Sequence, residues 1–253
     1  MKKIIALIPI LTITLVSCSN DENNTSQLNT LTFTFNHNWD GTPVSSNDFN
    51  QVQYTNANGD HLSIERLRYL ISDVTFTGSQ GETLRLESFF LVDLTNNRIS
   101  FTTTTPIPQG NYNNVAFTFG FDNEDNNGNY PELNTANFNV PEMLGGGYHY
   151  MQFDGKFINS NNEEQGFNYH AIRAVDNPGD SPTFPQDTFI NVNLGGIAVS
   201  ANTEIEVDVN LAQWFKEPNL WDLNQLNSVL MPNSDAQIMM YENGQNVFSL
   251  SNE

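Results

Sequence analysis

The stretch Gly145-Gly-Gly-Tyr-His-Tyr-Met-Gln-Phe-Asp-Gly-Lys-Phe-Ile158, together with the residues that follow it to Arg173, predicts a β-hairpin. Asn159-Ser160 is a candidate two-residue turn. This turn sets three cross-strand pairs: Lys156 with Glu163, Tyr150 with Tyr169, and His149 with His170. Directly opposed residues have Cβ atoms about 5 Å apart, a separation at which two imidazoles can share one metal ion. A longer loop in the polar residues 159–166 would shift the pairing, so that alternative stays open.

Strand-like alternation continues on both sides of this hairpin. Leu31-Thr-Phe-Thr-Phe-Asn-His37 alternates over seven residues, and Ile205, Val207 and Val209 alternate with acidic residues in a later stretch. Short strands separated by Asn, Gly and Pro turns predict an all-β fold, an antiparallel β-sandwich, over residues 31–253. Residues 212–216 and 220–238 predict short helical insertions near the C-terminus.

The N-terminal residues predict export. Lys2 and Lys3 precede an apolar run that is too short to span a bilayer and ends at Cys18, which predicts a lipoprotein signal peptide over residues 1–17. Lipidated Cys18 would anchor the protein in the outer membrane, facing either the cell surface or the periplasm. An ordinary secretion signal is the alternative. Residues 18–30 are polar and acidic and predict a flexible tether. Cys18 is the only cysteine, so no internal disulfide is expected.

The composition excludes several classes of function. The chain has 29 acidic and 9 basic residues, two of them in the signal peptide, so nucleic acid is not expected as a partner. The acidic field favours cations and also keeps the protein soluble. The sequence contains no phosphate-binding glycine loop, no Gly-x-Ser-x-Gly, no His-Glu-x-x-His and no Cys pair. We therefore do not expect an enzyme.

Histidines in strands are the remaining candidates for chemistry. His37, His149 and His170 are predicted metal ligands, with Met151 as a weaker thioether ligand, because imidazole suits copper and zinc and thioether suits Cu(I). On the strand pleat, Met151 and His149 would share one face. Each has a plainer interpretation: His37 as a hydrogen-bonded residue at the edge of the core, and Met151 as core filling. His61 is expected to be exposed.

The segment Asp122-Asn-Glu-Asp-Asn-Asn-Gly-Asn129 is rich in oxygen ligands. If Gly128 takes the glycine position of a calcium loop, the bidentate glutamate position falls on Asn134, so the pattern fails there. An acidic surface loop is the simpler interpretation, and calcium at Asp122, Glu124 and Asp125 is the alternative.

Ten segments, in seven groups that follow one another along the chain, resemble the MbnP family of exported proteins, which is related to the copper protein MopE of methane oxidisers. They are Leu31–His37 with Gly41-Thr-Pro43; Tyr54–Gly59 with Leu67–Ser72; Phe89–Asp93; Phe119–Asp122; Gly147-Tyr148 with Phe153–Gly155; Phe167–His170; and Glu242–Phe248.

The resemblance implies a β-sandwich-like extracytoplasmic domain. In the family's best-known members it also implies Cu(I) held by histidines, and a tryptophan oxidised to kynurenine by a partner dihaem enzyme. His170 matches the family's Phe-x-x-His motif, and His37 and His149 match its Bacteroidota branch. Methanotroph-type members carry tryptophans where this chain has Glu142-Met-Leu-Gly-Gly146, so Trp39, in a predicted loop, is the candidate for oxidation.

Two functions follow as expectations. The first is a lipoprotein that binds copper for acquisition or buffering, with a dihaem peroxidase-like enzyme or a metal transporter as partner. The second is a carbohydrate- or protein-binding surface module without metal, in which exposed Tyr148, Tyr150 and Trp39 form a stacking platform.

Overall fold

The structure is a computed structural model that describes residues 28–201 and 203–251. The predicted signal peptide and Cys18 lie outside the described residues. The first strand begins at Leu28, inside the stretch predicted as a tether. No helix of the described part is long and apolar enough to cross a membrane.

Short strands dominate the described chain, with two α-helices among them. The strands are β1 (Leu28–Asn29), β2 (Thr32–Trp39), β3 (Thr42–Pro43), β4 (Tyr54–Thr55), β5 (His61–Leu62), β6 (Arg66–Gly78), β7 (Thr83–Asp93), β8 (Ser100–Thr102), β9 (Ile107–Pro108), β10 (Gly110–Phe119), β11 (Met151–Ile158), β12 (Glu164–Ala171), β13 (Ile190–Val199), β14 (Glu204–Asn210) and β15 (Phe248–Leu250). The helices are α1 (Pro131–Thr135) and α2 (Ser234–Gly244), and 3₁₀ turns include Leu211–Phe215.

Two large sheets form the sandwich, which confirms the predicted all-β fold. The larger sheet has the order β13-β10-β6-β11-β5-β4, with β7 also paired to β6 and β12 to β11. The smaller has the order β15-β14-β2-β3, with β8 also paired to β2. The pairs are antiparallel except for β2 and β14, which run parallel over seven residues. The strands β1 and β9 form a separate two-stranded sheet.

The interior between the two sheets is aromatic. In β2, Phe33 and Phe35 point inward and are fully buried, while the threonines and asparagines between them face outward. Phe35 makes edge contacts at 6.0 Å with Tyr69 of β6 and with Phe117 of β10, so the two sheets interlock through their rings. Trp214, on the 3₁₀ turn Leu211–Phe215, is buried in the same interior against Phe119 and Tyr169. The alternation of apolar and polar residues in the sequence of β2 thus gives the strand an inner, apolar face and an outer, polar face.

A second, smaller core lies on the outer face of the larger sheet. The segment 120–150 leaves the sheet after β10, forms α1 and returns before β11. Its Phe121, Phe138 and Tyr148 pack with Leu70, which points outward from β6. The insertion therefore shields part of an outer face that would otherwise meet solvent, and this is the face on which the candidate site is built.

The hairpin predicted at residues 145–173 is present, but its predicted register was wrong by three positions. Its loop has five residues, 159–163, and β11 pairs with β12 so that Gln152 lies opposite His170. The side-chain oxygen of Asn159 accepts hydrogen bonds from the backbone amides of Asn161 and Glu163, which stabilises the longer loop. Lys156 consequently lies beside Glu164, at 2.7 Å, and not opposite Glu163.

Two boundaries also differ from the predictions. The strand β2 continues through Trp39 and turns at Asp40-Gly41 into β3, so Trp39 belongs to a strand and not to a loop. The helix in the 220–238 region begins only after Pro232, where Asn233 caps its N-terminus by accepting from the amide of Ala236. It runs to Gly244, beyond the predicted region.

Candidate metal centre

His149 is delivered to the outer face of the larger sheet by the end of the insertion. Gly145, Gly146 and Gly147 all have positive φ (92°, 67° and 75°), a backbone conformation that favours glycine. They turn the chain so that His149 pairs with Phe138: the His149 backbone amide and the ring Nδ1 both bond the Phe138 carbonyl, at 2.8 and 2.9 Å. A carbonyl only accepts, so Nδ1 carries the hydrogen and Nε2 carries the lone pair.

This Nε2 atom is buried and makes no hydrogen bond within the described residues. Burial lowers the pKa of His149 to about 4. The hydrogen bond to the Phe138 carbonyl opposes this effect, and the nearby His170, Arg68 and Arg66 add to it. The ring is therefore neutral at physiological pH. A neutral imidazole with a free lone pair held in a fixed direction is the form that binds a metal ion.

His170 reaches the same place from β12 and is oriented by a carboxylate. Its Nε2 lies 2.8 Å from Oδ1 of Asp154, on the neighbouring strand β11. Asp154 also accepts from Asn168 at 2.6 Å and from Arg66. Burial would raise the pKa of Asp154, but the hydrogen bond and charge interaction with His170, together with the hydrogen bonds from Asn168 and Arg66, outweigh it and lower the pKa to about 2. The hydrogen bond to this carboxylate commits Nε2–H, so in the singly protonated form of the ring the lone pair is on Nδ1.

The two imidazoles are close enough to share an ion. Their ring centroids are 5.2 Å apart and their planes are nearly perpendicular, at 84°. A metal about 2 Å from an imidazole nitrogen lies about 3 Å from the ring centroid, so two rings sharing one ion have centroids within roughly 6 Å of each other. The pair meets this limit, and both rings have the hydrogen-bonded orienting group that metal-ligating histidines usually have.

The other predicted ligands lie elsewhere. His37 points into the sandwich interior, where its Nε2 lies 2.9 Å from the Tyr69 hydroxyl. Tyr69 faces inward from β6, whereas its neighbour Arg68 faces outward and bonds Gln152, so the sheet separates His37 from the histidine pair. Met151 also faces inward, since it lies opposite Ala171, one position from the outward His170. The prediction of one site containing His37 and Met151 was therefore wrong.

His37 is expected to make the stability of the protein sensitive to acid. Burial lowers its pKa from 6.5 to about 3, with partial opposition from the Phe35 carbonyl. Between these values the unfolded chain binds a proton that the folded chain does not, so stability falls as the pH falls, by up to about 1.4 kcal/mol per pH unit for this residue. Urea unfolding between pH 7 and pH 4.5 should show a steeper fall for wild type than for His37→Gln. The exposed His61→Gln variant should match wild type, and equal slopes for wild type and His37→Gln would contradict the account.

The residues of the predicted stacking platform are buried. Trp39, Tyr148 and Tyr150 expose 7, 3 and 0% of their surface. The Trp39 indole donates to the Thr55 carbonyl and packs between Tyr54 and Phe215. These rings cannot stack on a sugar from solvent, so the alternative of a glycan-binding module loses the surface on which it was based. Trp39 lies on the same inner face of β2 as His37 and is likewise separated from the histidine pair.

The acidic loop forms a different cluster from the one predicted. Carboxylate oxygens of Asp73, Asp122 and Asp125 lie within 4.8 Å of one another, and Glu124 is not among them. Asp73 comes from the bulge in β6, where its φ is 54°. Arg85 lies 2.7 Å from Asp73, 3.8 Å from Asp122 and 3.7 Å from Asp125. Its guanidinium already places a positive charge beside the three carboxylates. Calcium takes six to eight oxygens, and three carboxylates would supply six only if all three bound it through both oxygens.

Sequence reasoning missed Asp154, Arg66 and the Phe138 carbonyl. Asp154 is two positions along β11 from Gln152, the residue opposite His170, so the correct register would have placed it diagonally beside His170. The carbonyl of Phe138 carries no sequence signal, because any residue type could supply it.

The fold and the histidine pair define the protein as a β-sandwich with a candidate metal centre on the outer face of its larger sheet. The chain belongs to the MbnP family, whose sequence model matches residues 28–235. Its fold is similar to that of a solved structure, MbnP from Methylosinus trichosporium, with a TM-score of 0.53 and 11% identity over 77% of this chain and 80% of that one. A search of curated proteins found no match.

Proposed function

We propose that the protein binds one copper ion, as Cu(I), between Nε2 of His149 and Nδ1 of His170. The observation that supports this proposal is the arrangement of the two rings, 5.2 Å apart and each hydrogen-bonded through its other nitrogen. The family resemblance, which implies Cu(I) held by histidines, points the same way.

The donor set argues against zinc. A structural zinc ion takes four protein ligands and a catalytic one takes three. Within the described residues, the group of three or more histidines and carboxylates that could hold one ion is the Asp73 cluster, and the histidine pair is not in such a group. The nearest carboxylate, Asp154, is already engaged by Arg66, Asn168 and His170. Two imidazoles therefore remain as donors, and imidazole is a good ligand for copper.

The local charge favours a monovalent ion over a divalent one. Arg66 and Arg68 lie close enough to the site to lower the pKa of His149, so a cation there also experiences their repulsion. Asp154 offsets part of this charge through its ion pair with Arg66, and Asp93 and Asp154 offset part of the charge of Arg68. The repulsion that remains is twice as large for a divalent ion as for a monovalent ion at the same place.

The cellular role follows as part of the same proposal. The protein would act in binding and not in catalysis, as an outer-membrane lipoprotein anchored through Cys18 and facing the cell surface or the periplasm. Copper acquisition or buffering would be its task, with a metal transporter or a dihaem peroxidase-like enzyme as the protein that exchanges with it. Intact-mass measurement of the mature protein tests the lipid at Cys18 and any oxygen added to a tryptophan.

Metal analysis tests the binding directly. Protein supplied with Cu(I) under reducing conditions and then desalted should retain about one copper per chain, while protein supplied with zinc in the same way should retain much less. Desalted protein without copper, or with equal amounts of zinc, would overturn the proposal.

A further inference from the structure

We infer that Asp154 is a positioning residue that sets the tautomer of His170. We also infer that Arg66, through its ion pair with Asp154, fixes which atom of residue 154 faces His170. The inference rests on the proposed function for its effect on copper. It can be tested separately in metal-free protein, because the tautomer exists before any metal binds.

The hydrogen bonds around Asp154 divide between its two oxygens. Oδ1 accepts from Asn168 Nδ2 at 2.6 Å and from His170 Nε2 at 2.8 Å. Oδ2 accepts from the guanidinium of Arg66. Arg66 and the amide nitrogen of Asn168 can only donate, so Asp154 acts throughout as an acceptor. His170 must then present Nε2–H to it, and in the singly protonated ring this leaves Nδ1 with the lone pair.

Replacing this carboxylate with an amide should reverse the arrangement. In Asp154→Asn, one terminal atom becomes a donor and must face either Arg66 or the Asn168–His170 side. Arg66 has no acceptor to offer, whereas Asn168 can rotate its amide and a histidine can move its proton. The new amide nitrogen will therefore face His170, which must accept at Nε2 and carry its hydrogen on Nδ1. The lone pair for copper is lost from Nδ1 while the side chains keep nearly the same size.

The change of tautomer in Asp154→Asn depends on Arg66, so removing Arg66 as well should restore the wild-type tautomer of His170. In the double variant Asp154→Asn with Arg66→Met, no guanidinium demands an oxygen at the Oδ2 position. The amide oxygen can then return to the Oδ1 position, accept from Asn168 and His170 as the carboxylate did, and restore the Nε2–H tautomer. A role of Asp154 in stability alone predicts no such rescue, because the double variant has lost more contacts than the single one.

Long-range ¹H–¹⁵N NMR spectra of the metal-free protein at pH 8 report which ring nitrogen carries the hydrogen. The chain has four histidines, so the signals can be assigned by substituting each in turn. We expect Nε2–H for His170 in wild type, Nδ1–H in Asp154→Asn, and Nε2–H again in the double variant. Asp73→Asn is the matched control, because Asp73 pairs with Arg85 on the same sheet away from the histidines. It should leave the His170 signals unchanged.

Competition titrations with a Cu(I) chelator give the second measurement. Loss of an orienting partner typically costs about 10- to 100-fold in metal affinity, and we expect a loss in this range for Asp154→Asn with most of it recovered in the double variant. Nδ1–H in wild type, or an unchanged tautomer in Asp154→Asn, would overturn the inference. If wild type binds no copper, the proposed function fails, and the spectra alone then support or overturn the role of Asp154.

Discussion

His149→Ala and His170→Ala are each expected to reduce retained copper from about one ion per chain to background. Each substitution removes one of two imidazole donors, and the remaining ring alone cannot hold the ion through desalting. We expect the Cu(I) affinity to fall by more than the roughly 10- to 100-fold that loss of an orienting residue costs, since a ligand itself is lost. Metal analysis after desalting, followed by chelator competition, measures both effects.

The chain offers two matched histidine controls. His61 is exposed and bonds Thr55, and His37 lies inside the sandwich against Tyr69. His61→Ala and His37→Gln should therefore retain copper at the wild-type ratio. Copper retained by both His149→Ala and His170→Ala, or lost in His37→Gln while that variant stays folded, would show that the ion is bound elsewhere.

Gly155→Ala is expected to destabilise the fold strongly. A Cβ atom at Gly155 would lie 2.0 Å from the Ser63 carbonyl oxygen and 2.7–2.8 Å from two ring carbons of Phe167. The backbone at Ser63 runs close beside β11, where its amide donates to the Lys156 carbonyl at 2.7 Å, so it cannot move without breaking sheet hydrogen bonds. Overpacking of this kind costs about 1–3 kcal/mol and sometimes more, and we expect about 3 kcal/mol in the free energy of unfolding.

Gly166→Ala is the control for this prediction. Gly166 lies on β12 opposite Lys156, and an added Cβ would meet only the Gly155 carbonyl oxygen, at 3.9 Å. Urea unfolding should therefore give Gly166→Ala a stability within about 1 kcal/mol of wild type. Similar stabilities for the two alanine variants would mean that the close approach of Ser63 to β11 is wrong.

Alternation along the chain predicted the fold well, because it depends only on which residues avoid water. Phe33 and Phe35 face inward in β2, as the sequence Leu31–His37 predicts, and the same holds for Ile205, Val207 and Val209 in β14. The alternation does not predict which strands pair when they are far apart in the sequence. The parallel contact between β2 and β14, which are about 170 residues apart, has no local signal.

At the candidate site, the sequence did not predict the positions of single residues correctly. The meeting of His149 and His170 was predicted from a two-residue turn, but the loop has five residues and His170 lies opposite Gln152. The rings still meet, because His149 precedes the strand and is drawn to the outer face by Phe138. That bond comes from the insertion, whose path depends on the packing of Phe121, Phe138 and Tyr148. The predicted contact is present, although the reasoning that led to it was wrong in register.

X-ray absorption at the copper edge of Cu(I)-loaded wild-type protein tests the central claim most directly, because it reports which atoms bind the ion. Coordination by imidazole nitrogen, with the scattering of two histidine rings and no sulfur neighbour, is the result we predict. The same spectrum for His149→Ala supplied with copper should lose this signature. Sulfur coordination in wild type, or an identical spectrum for the variant, would contradict a copper site formed by His149 and His170.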